Sequence, residues 1–173
     1  MQTDLRHLNL KTRIGFSTQT TNPFSAMIRK FTGGQCSHVW WLYYDLDFGI
    51  DMVMDAHETG YRLVPLTMFM QRNKIIATID PIHDVDEALL HSVQWLGSMY
   101  DFAGLIGGLW VMLGRIFRRK WKNPMRSSAN VFCSEATARG LLSQKYPGFE
   151  NVDPETLTPD DILKFFRSEK GPK

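Results

Sequence analysis

Several common features are scarce in this chain of 173 residues. It has only two cysteines, Cys36 and Cys133. That is too few for a disulfide scaffold, and two isolated thiols do not make a metal motif. A single disulfide between them stays open, but free thiols in a reducing cytosol are expected. The first residues, MQTDLRHLNLKTR, lack the apolar centre of a secretory signal. Excess charge is also missing: the formal net charge is +2, which gives no reason to expect a nucleic-acid partner. The exception is the stretch from Arg115 to Arg126, with six basic residues and no acidic one. No uncharged run is long enough to span a bilayer. The most apolar of them, FAGLIGGLWVML from Phe102 to Leu113, falls well short of the roughly 20 residues required. A buried or interfacial helix suits it better, and Leu105 to Lys122 keeps peripheral contact with a membrane surface open. Repeats and low-complexity tracts are absent. With 43% hydrophobic residues, the chain is expected to fold as a single domain over 1–173, located in the cytoplasm.

The pattern along the chain changes period midway. Strands are expected at Thr12–Ser17 and at His38–Tyr44, where HVWWLYY concentrates aromatic and β-branched side chains. Asp51–His57, Tyr61–Leu66 and Lys74–Ile79 complete a set of five. Between the first two, Asn22 can cap a helix with Pro23 at its first position and Gly33-Gly34 ending it. After residue 85, Leu89, Val93, Leu96 and Tyr100 recur at helical spacing, which predicts a helix from Asp86 to Tyr100, with Asp84 and Glu87 as a capping box. Further helices are expected over Asn130–Leu142 and after Thr158, where Pro159, Asp160 and Asp161 suit a first turn. The strand connections are too short for parallel crossovers. The expected class is therefore α+β, an antiparallel sheet of about five strands packed against helices.

Three polar groups carry the chemistry. If Ser128 or Asn130 caps the late helix, Cys133 falls in its first turn, where unpaired N–H groups and the helix dipole favour a thiolate. His38 opens the second strand, after a Gly-rich turn, where an imidazole at a sheet rim can face a helix terminus. Asp55 and His57 share parity on the next strand, so both point to one face, and either can orient the imidazole. Taken singly, each has a plainer reading. A lone Cys at a helix start is more often a small buried residue, and a His at a strand edge usually just packs. Cys36 is not placed like a helix nucleophile and is expected to be a bystander.

The segments SHVWWLYY, VMDAHETGYRLVPL, YDFAGL, NVFCSEATARGL and TPDDIL, in that order, resemble the circularly permuted NlpC-type papain-like proteins. This group includes the YiiX-like bacterial enzymes and the lecithin:retinol acyltransferase-like proteins. In the permuted branch the His strand precedes the Cys helix, as here. The resemblance implies a permuted papain-like core with Cys133 as nucleophile, His38 as base and Asp55 as third residue. His57 is the alternative third residue, because the acyltransferase-like branch uses a histidine on this strand. Tyr100-Asp101 matches a family motif expected to be structural. Trp40-Trp41 stands where the family often has Gly or Ala, and bulk there would reshape a substrate groove.

The chemistry so implied is attack by Cys133 on an amide, ester or thioester carbonyl, with His38 moving the proton and no metal or organic cofactor needed. Gln19 and Tyr100 are candidates for the second oxyanion donor beside the Cys133 N–H, and Trp40 for a pocket wall. The leading expectation is a hydrolase cutting peptide or isopeptide bonds, including those of peptidoglycan. The alternatives are a lipid-directed esterase, thioesterase or acyltransferase of the same fold, and a non-catalytic binding module.

Overall fold

A computed structural model describes residues 10–19, 23–98 and 132–169. The elements are β1 (Arg13–Thr18), α1 (Pro23–Thr32), β2 (His38–Asp45), β3 (Ile50–His57), β4 (Gly60–Pro65), α2 (Leu66–Met70), β5 (Lys74–Ile79), α3 (Asp86–Ser92), α4 (Cys133–Ser143) and α5 (Pro159–Glu169). The strands form one five-stranded antiparallel sheet in the order β4-β3-β2-β1-β5. The chain is therefore of the α+β class.

Tight turns set the register. Between β2 and β3, the Asp45 carboxylate accepts from the Asp47 and Phe48 N–H groups, and Gly49 takes a positive φ of 66° that a side chain would disfavour. Between β3 and β4 only Glu58 and Thr59 intervene, so His57 lies opposite Gly60 and Asp55 opposite Arg62.

Alternation along β2 and β3 sends side chains to two buried faces. Val39, Trp41, Met54 and Ala56 join the main core with Leu89, Ala136, Leu141, Ile162 and Phe166 from the helices. Trp40, Leu42 and Val53 face the other way and pack around Phe69 of α2. Trp40 also fixes Gly15 on β1, where a Cβ would sit 2.3 Å from the indole. The adjacent tryptophans are therefore both core residues on opposite faces, each with its N–H donated to a serine: Trp40 to Ser17 Oγ (3.2 Å) and Trp41 to Ser92 Oγ (3.1 Å).

The expected helix from Asp86 to Tyr100 is shorter than its periodicity. It ends at Ser92, continues as a 3₁₀ turn over Val93–Trp95, and stops at Gly97, whose φ is 80°. The outer edge of β4 accounts for this: Gly97 N–H donates to the Tyr61 carbonyl (2.9 Å) and Tyr61 N–H donates to the Ser98 carbonyl (3.0 Å). Two ladder-type bonds to a strand edge replace continued helix. At the start of α3, Asp84 accepts from the Asp86 N–H (2.6 Å), while no side chain caps the helix at Val85. The Asp86 carboxylate reaches back to the Leu10 and Thr12 N–H groups (2.8 and 2.9 Å). On α5, Thr158 caps as expected, accepting from the Asp161 N–H (3.0 Å) while its hydroxyl donates to the Asp161 carboxylate (2.8 Å). Asn22, Ser128, Asn130, Tyr100 and the whole of Leu105–Lys122 lie outside the described residues. Among the described residues, no helix is long and apolar enough to cross a membrane.

Candidate active site

Cys133 is the first residue of α4, preceded by Phe132 in extended conformation, with no side-chain cap. The expected caps further upstream are therefore not the residues that begin this helix. The sulfur itself takes up a first-turn donor, because the Ser134 N–H is directed at it, as is the Val39 N–H from β2. His38, at the start of β2, is hydrogen-bonded to the same sulfur. The helix terminus and the strand end thus meet at the sheet rim.

The imidazole is fixed from three sides. Its Nε2 lies 3.1 Å from Asp55 Oδ2, which leaves Nδ1 for the thiol. Its ring stacks over Phe69, with centroids 6.2 Å apart. The turn before it is held by a buried hydroxyl cluster: Ser25 Oγ lies 2.6 Å from Ser37 Oγ and 3.0 Å from Thr18 Oγ1, and it accepts from the Gln19 N–H. From the far end of the chain, Asp160 on α5 accepts from the Gln35 N–H (2.8 Å) and also from the Cys36 N–H. Gly34 packs so closely on Asp160 that a Cβ would lie 2.6 Å from its side chain.

Asp55, with a side chain 1% exposed, has one partner for each carboxylate oxygen: His38 at Oδ2, and Arg62 Nε at Oδ1 (2.9 Å). Burial alone would raise its pKa. The His38 bond and charge and then the Arg62 bond and charge outweigh burial and hold it below the usual carboxylate range.

The same competition sets the other two groups. Burial pulls His38 down, but the Cys133 charge and the Asp55 hydrogen bond raise it to about 10. Burial pushes Cys133 up, but the His38 charge and hydrogen bond, with the Val39 and Ser134 N–H groups, bring it below its ordinary value. The two shifts are complementary: the imidazole is raised and the thiol lowered, the pattern that favours passing the thiol proton to His38.

The remaining candidates fall elsewhere. His57 turns its Nδ1 to the Thr59 hydroxyl (2.9 Å), and burial followed by the Arg62 charge lowers its pKa, so it does not orient His38. Trp40 is 1% exposed, with its ring 4.7 Å from Phe69, so it lines no pocket. Gln19 follows β1 with its backbone tied to Ser25, and Tyr100 is outside the described residues. Both cysteines are free thiols. Cys36 is fully buried, and desolvation, followed by the nearby Asp160 charge, pushes it up to about 12, which leaves it a protonated and unreactive thiol.

Sequence reasoning missed Arg62, although counting across the two-residue hairpin from Asp55 leads straight to it. It also missed Asp160, which no local pattern links to residue 35. Among the described residues, no group of three or more His, Cys, Asp or Glu side chains could hold a metal ion. The chain matches no protein-family model and no curated protein in sequence.

Proposed function

We propose that the protein is a cysteine hydrolase of the permuted papain-like type, acting on amide bonds of peptides or isopeptides, including those of peptidoglycan, through a covalent acyl-enzyme. The observation that supports this most is the polarised chain Cys133–His38–Asp55, in which the sulfur's pKa is lowered and the imidazole's raised although both are buried. A packing cysteine in an apolar core moves the other way, as Cys36 does.

In this reading the Cys133 thiolate attacks the carbonyl carbon, and negative charge moves to the carbonyl oxygen. The backbone N–H of Cys133, in the first helical turn and without an intrahelical acceptor, is one donor for that oxyanion. His38 gives its proton to the leaving amine as the carbon–nitrogen bond breaks, which forms the thioester. The now neutral imidazole then takes a proton from water, whose oxygen attacks the thioester, and keeps it while the carbon–sulfur bond breaks, so that the sulfur leaves as the thiolate and the ion pair is restored. Asp55 keeps the ring oriented through Nε2 and stabilises its charged form. Substrates could equally present an ester or thioester to the same machinery, and that choice belongs to the groove rather than to these three residues.

The test is alkylation with iodoacetamide followed at each cysteine by mass spectrometry, in the parent protein and in Cys133→Ala, His38→Ala and Cys36→Ala. Fast labelling at Cys133 that depends on His38 supports an enzyme; equally slow labelling of both thiols supports a binding module instead. Digestion of muropeptides, set against hydrolysis of lipid esters, then selects the substrate class.

A further inference from the structure

The site has a second layer on the side of Asp55 away from His38. Resting on the cysteine-hydrolase reading, we infer that Arg62 is a positioning residue, which locks the Asp55 carboxylate in the orientation and ionisation state that His38 requires. Register puts the two residues directly opposite each other on β3 and β4, across a hairpin with only Glu58 and Thr59 in its loop. Opposed side chains in such a pair are neighbours on one face, so little freedom separates them.

The bonding at the carboxylate is fully divided. Arg62 Nε donates to Oδ1 at 2.9 Å, and His38 Nε2 lies 3.1 Å from Oδ2. Rotation of the carboxylate therefore breaks a bond on each side. Asp55 is 1% exposed, so water cannot readily replace a lost donor, whereas Arg62 is 25% exposed and reaches in from the surface. Without the guanidinium, a buried carboxylate keeps a single partner, and its neutral form gains ground. A protonated Asp55 no longer offers His38 a charged acceptor. The imidazolium loses support, and the Cys133 thiolate that depends on it loses support in turn. Arg62 thus sets how far into acid the reactive ion pair survives. Lysine is a poor substitute, because a single ammonium cannot reproduce the in-plane Nε–H of a guanidinium.

The experiment follows the rate of Cys133 alkylation by iodoacetamide from about pH 4 to about pH 9, a range that spans the acid limb of a thiolate–imidazolium pair. The proteins compared are the parent, R62M, R62K, D55N, the double variant D55N/R62M, and H38Q. Expected is an acid limb displaced to higher pH in R62M, with labelling at mildly acidic pH slowed about tenfold, the scale of one charge-assisted hydrogen bond. R62K should fall between R62M and the parent. D55N/R62M should be no slower than D55N, because Arg62 acts only through that carboxylate. An unmoved acid limb in R62M overturns the inference, and so does a double variant slower than D55N by the full R62M factor. If R62M does not fold, R62K carries the same test, and a parent-like limb there overturns the inference as well. H38Q separates the two levels: if it labels like the parent, the hydrolase reading fails; if it slows while R62M does not, only the role of Arg62 fails.

Discussion

Replacing His38 with glutamine removes the cation while retaining an amide donor for Asp55, so it probes the ion pair with little disturbance of the fold. In the parent, the His38 charge is the largest influence holding the Cys133 pKa down, followed by its hydrogen bond; the main opposing influence is burial. With the cation gone, burial is left opposed only by the Val39 and Ser134 N–H groups, and the thiol is expected to return to its ordinary 9.0 or above. At pH 7 such a thiol is about 1% ionised or less, against a parent sulfur whose lowered pKa leaves a larger ionised fraction. A more basic thiolate is intrinsically more nucleophilic, with a Brønsted coefficient of about 0.4–0.5, which recovers part of the loss. The net expectation is alkylation at least about tenfold slower in H38Q at pH 7, rising about tenfold per pH unit where the parent is nearly flat. The assay is a pH series of iodoacetamide labelling resolved by peptide, with Cys36 as an internal reference for slow, buried thiols. Parent-like rate and parent-like flatness in H38Q would mean that the imidazole does not hold the thiolate, and the reasoning about this site would collapse.

The position of the proton has its own signature: thiolate ultraviolet absorbance should be present in the native protein at neutral pH, absent in Cys133→Ala, and lost on unfolding. If native and unfolded protein absorb alike, the proton resides on sulfur. Linkage gives a pH dependence of stability with a worked sign. For a native thiolate–imidazolium pair that persists below pH 6.5, the native pair and the unfolded chain each bind one proton between the ordinary values of 6.5 for imidazole and 9.0 for thiol, so the pair contributes no slope. Below 6.5 the unfolded histidine takes up a proton first, and above 9.0 the unfolded thiol loses one while His38 holds its own up to about 10. Stability should therefore fall on both sides of that window in urea titrations, and a steep slope inside it would contradict the paired shifts. Asp55→Asn removes the charge and leaves one acceptor oxygen for two donors, setting an NH2 group against the other; with Arg62 able to regain water, the cost should be about 2–3 kcal/mol, seen as a melting temperature lower by about 5–10 °C. An unchanged melting point would show that the carboxylate is not under the constraint described. Gly140→Ala places a Cβ 2.6 Å from the Ala88 carbonyl, where α3 and α4 touch through backbone. The expected loss is about 1–3 kcal/mol in chemical denaturation, and a neutral result would mean that the helices part without cost.

Most of the frame was legible because its signals are local. Five strands follow from runs of β-formers punctuated by glycine turns, and Lys74–Ile79 has the limits expected of it. The three central residues were reached in a different way: a helix start and two strand positions made Cys133, His38 and Asp55 candidates, and the resemblance to the permuted papain-like proteins joined them into one set. What local pattern could not supply was any choice between groups of equal parity. Asp55 and His57 point to the same face, and nothing within their own strand separates them. The separation comes from the partner strand, where Asp55 meets the Arg62 guanidinium and His57 meets only Gly60. The same limitation explains the helix after Asp86. Its apolar spacing is helical through Tyr100, yet the free edge of β4 captures Gly97 and Ser98, and an edge is visible only once strand order is known.

The tryptophan pair shows how an expectation drawn from a resemblance can mislead at one position. Small residues after the histidine suggest open space beside the site, so bulk there suggests obstruction. In this sheet both faces are buried, and strict alternation carries Trp40 and Trp41 away from each other into separate cores. Each indole then works as packing: Trp40 against Gly15 and Phe69 beneath His38, Trp41 against the helices through Ser92. Because Phe69 touches both Trp40 and the His38 ring, the second core is also the floor of the site. The glycine that accommodates the indole lies on β1, outside the histidine strand. The constraint on His38 is thus distributed over several strands and helices, and a pattern confined to the His strand captures only the part that strand contributes.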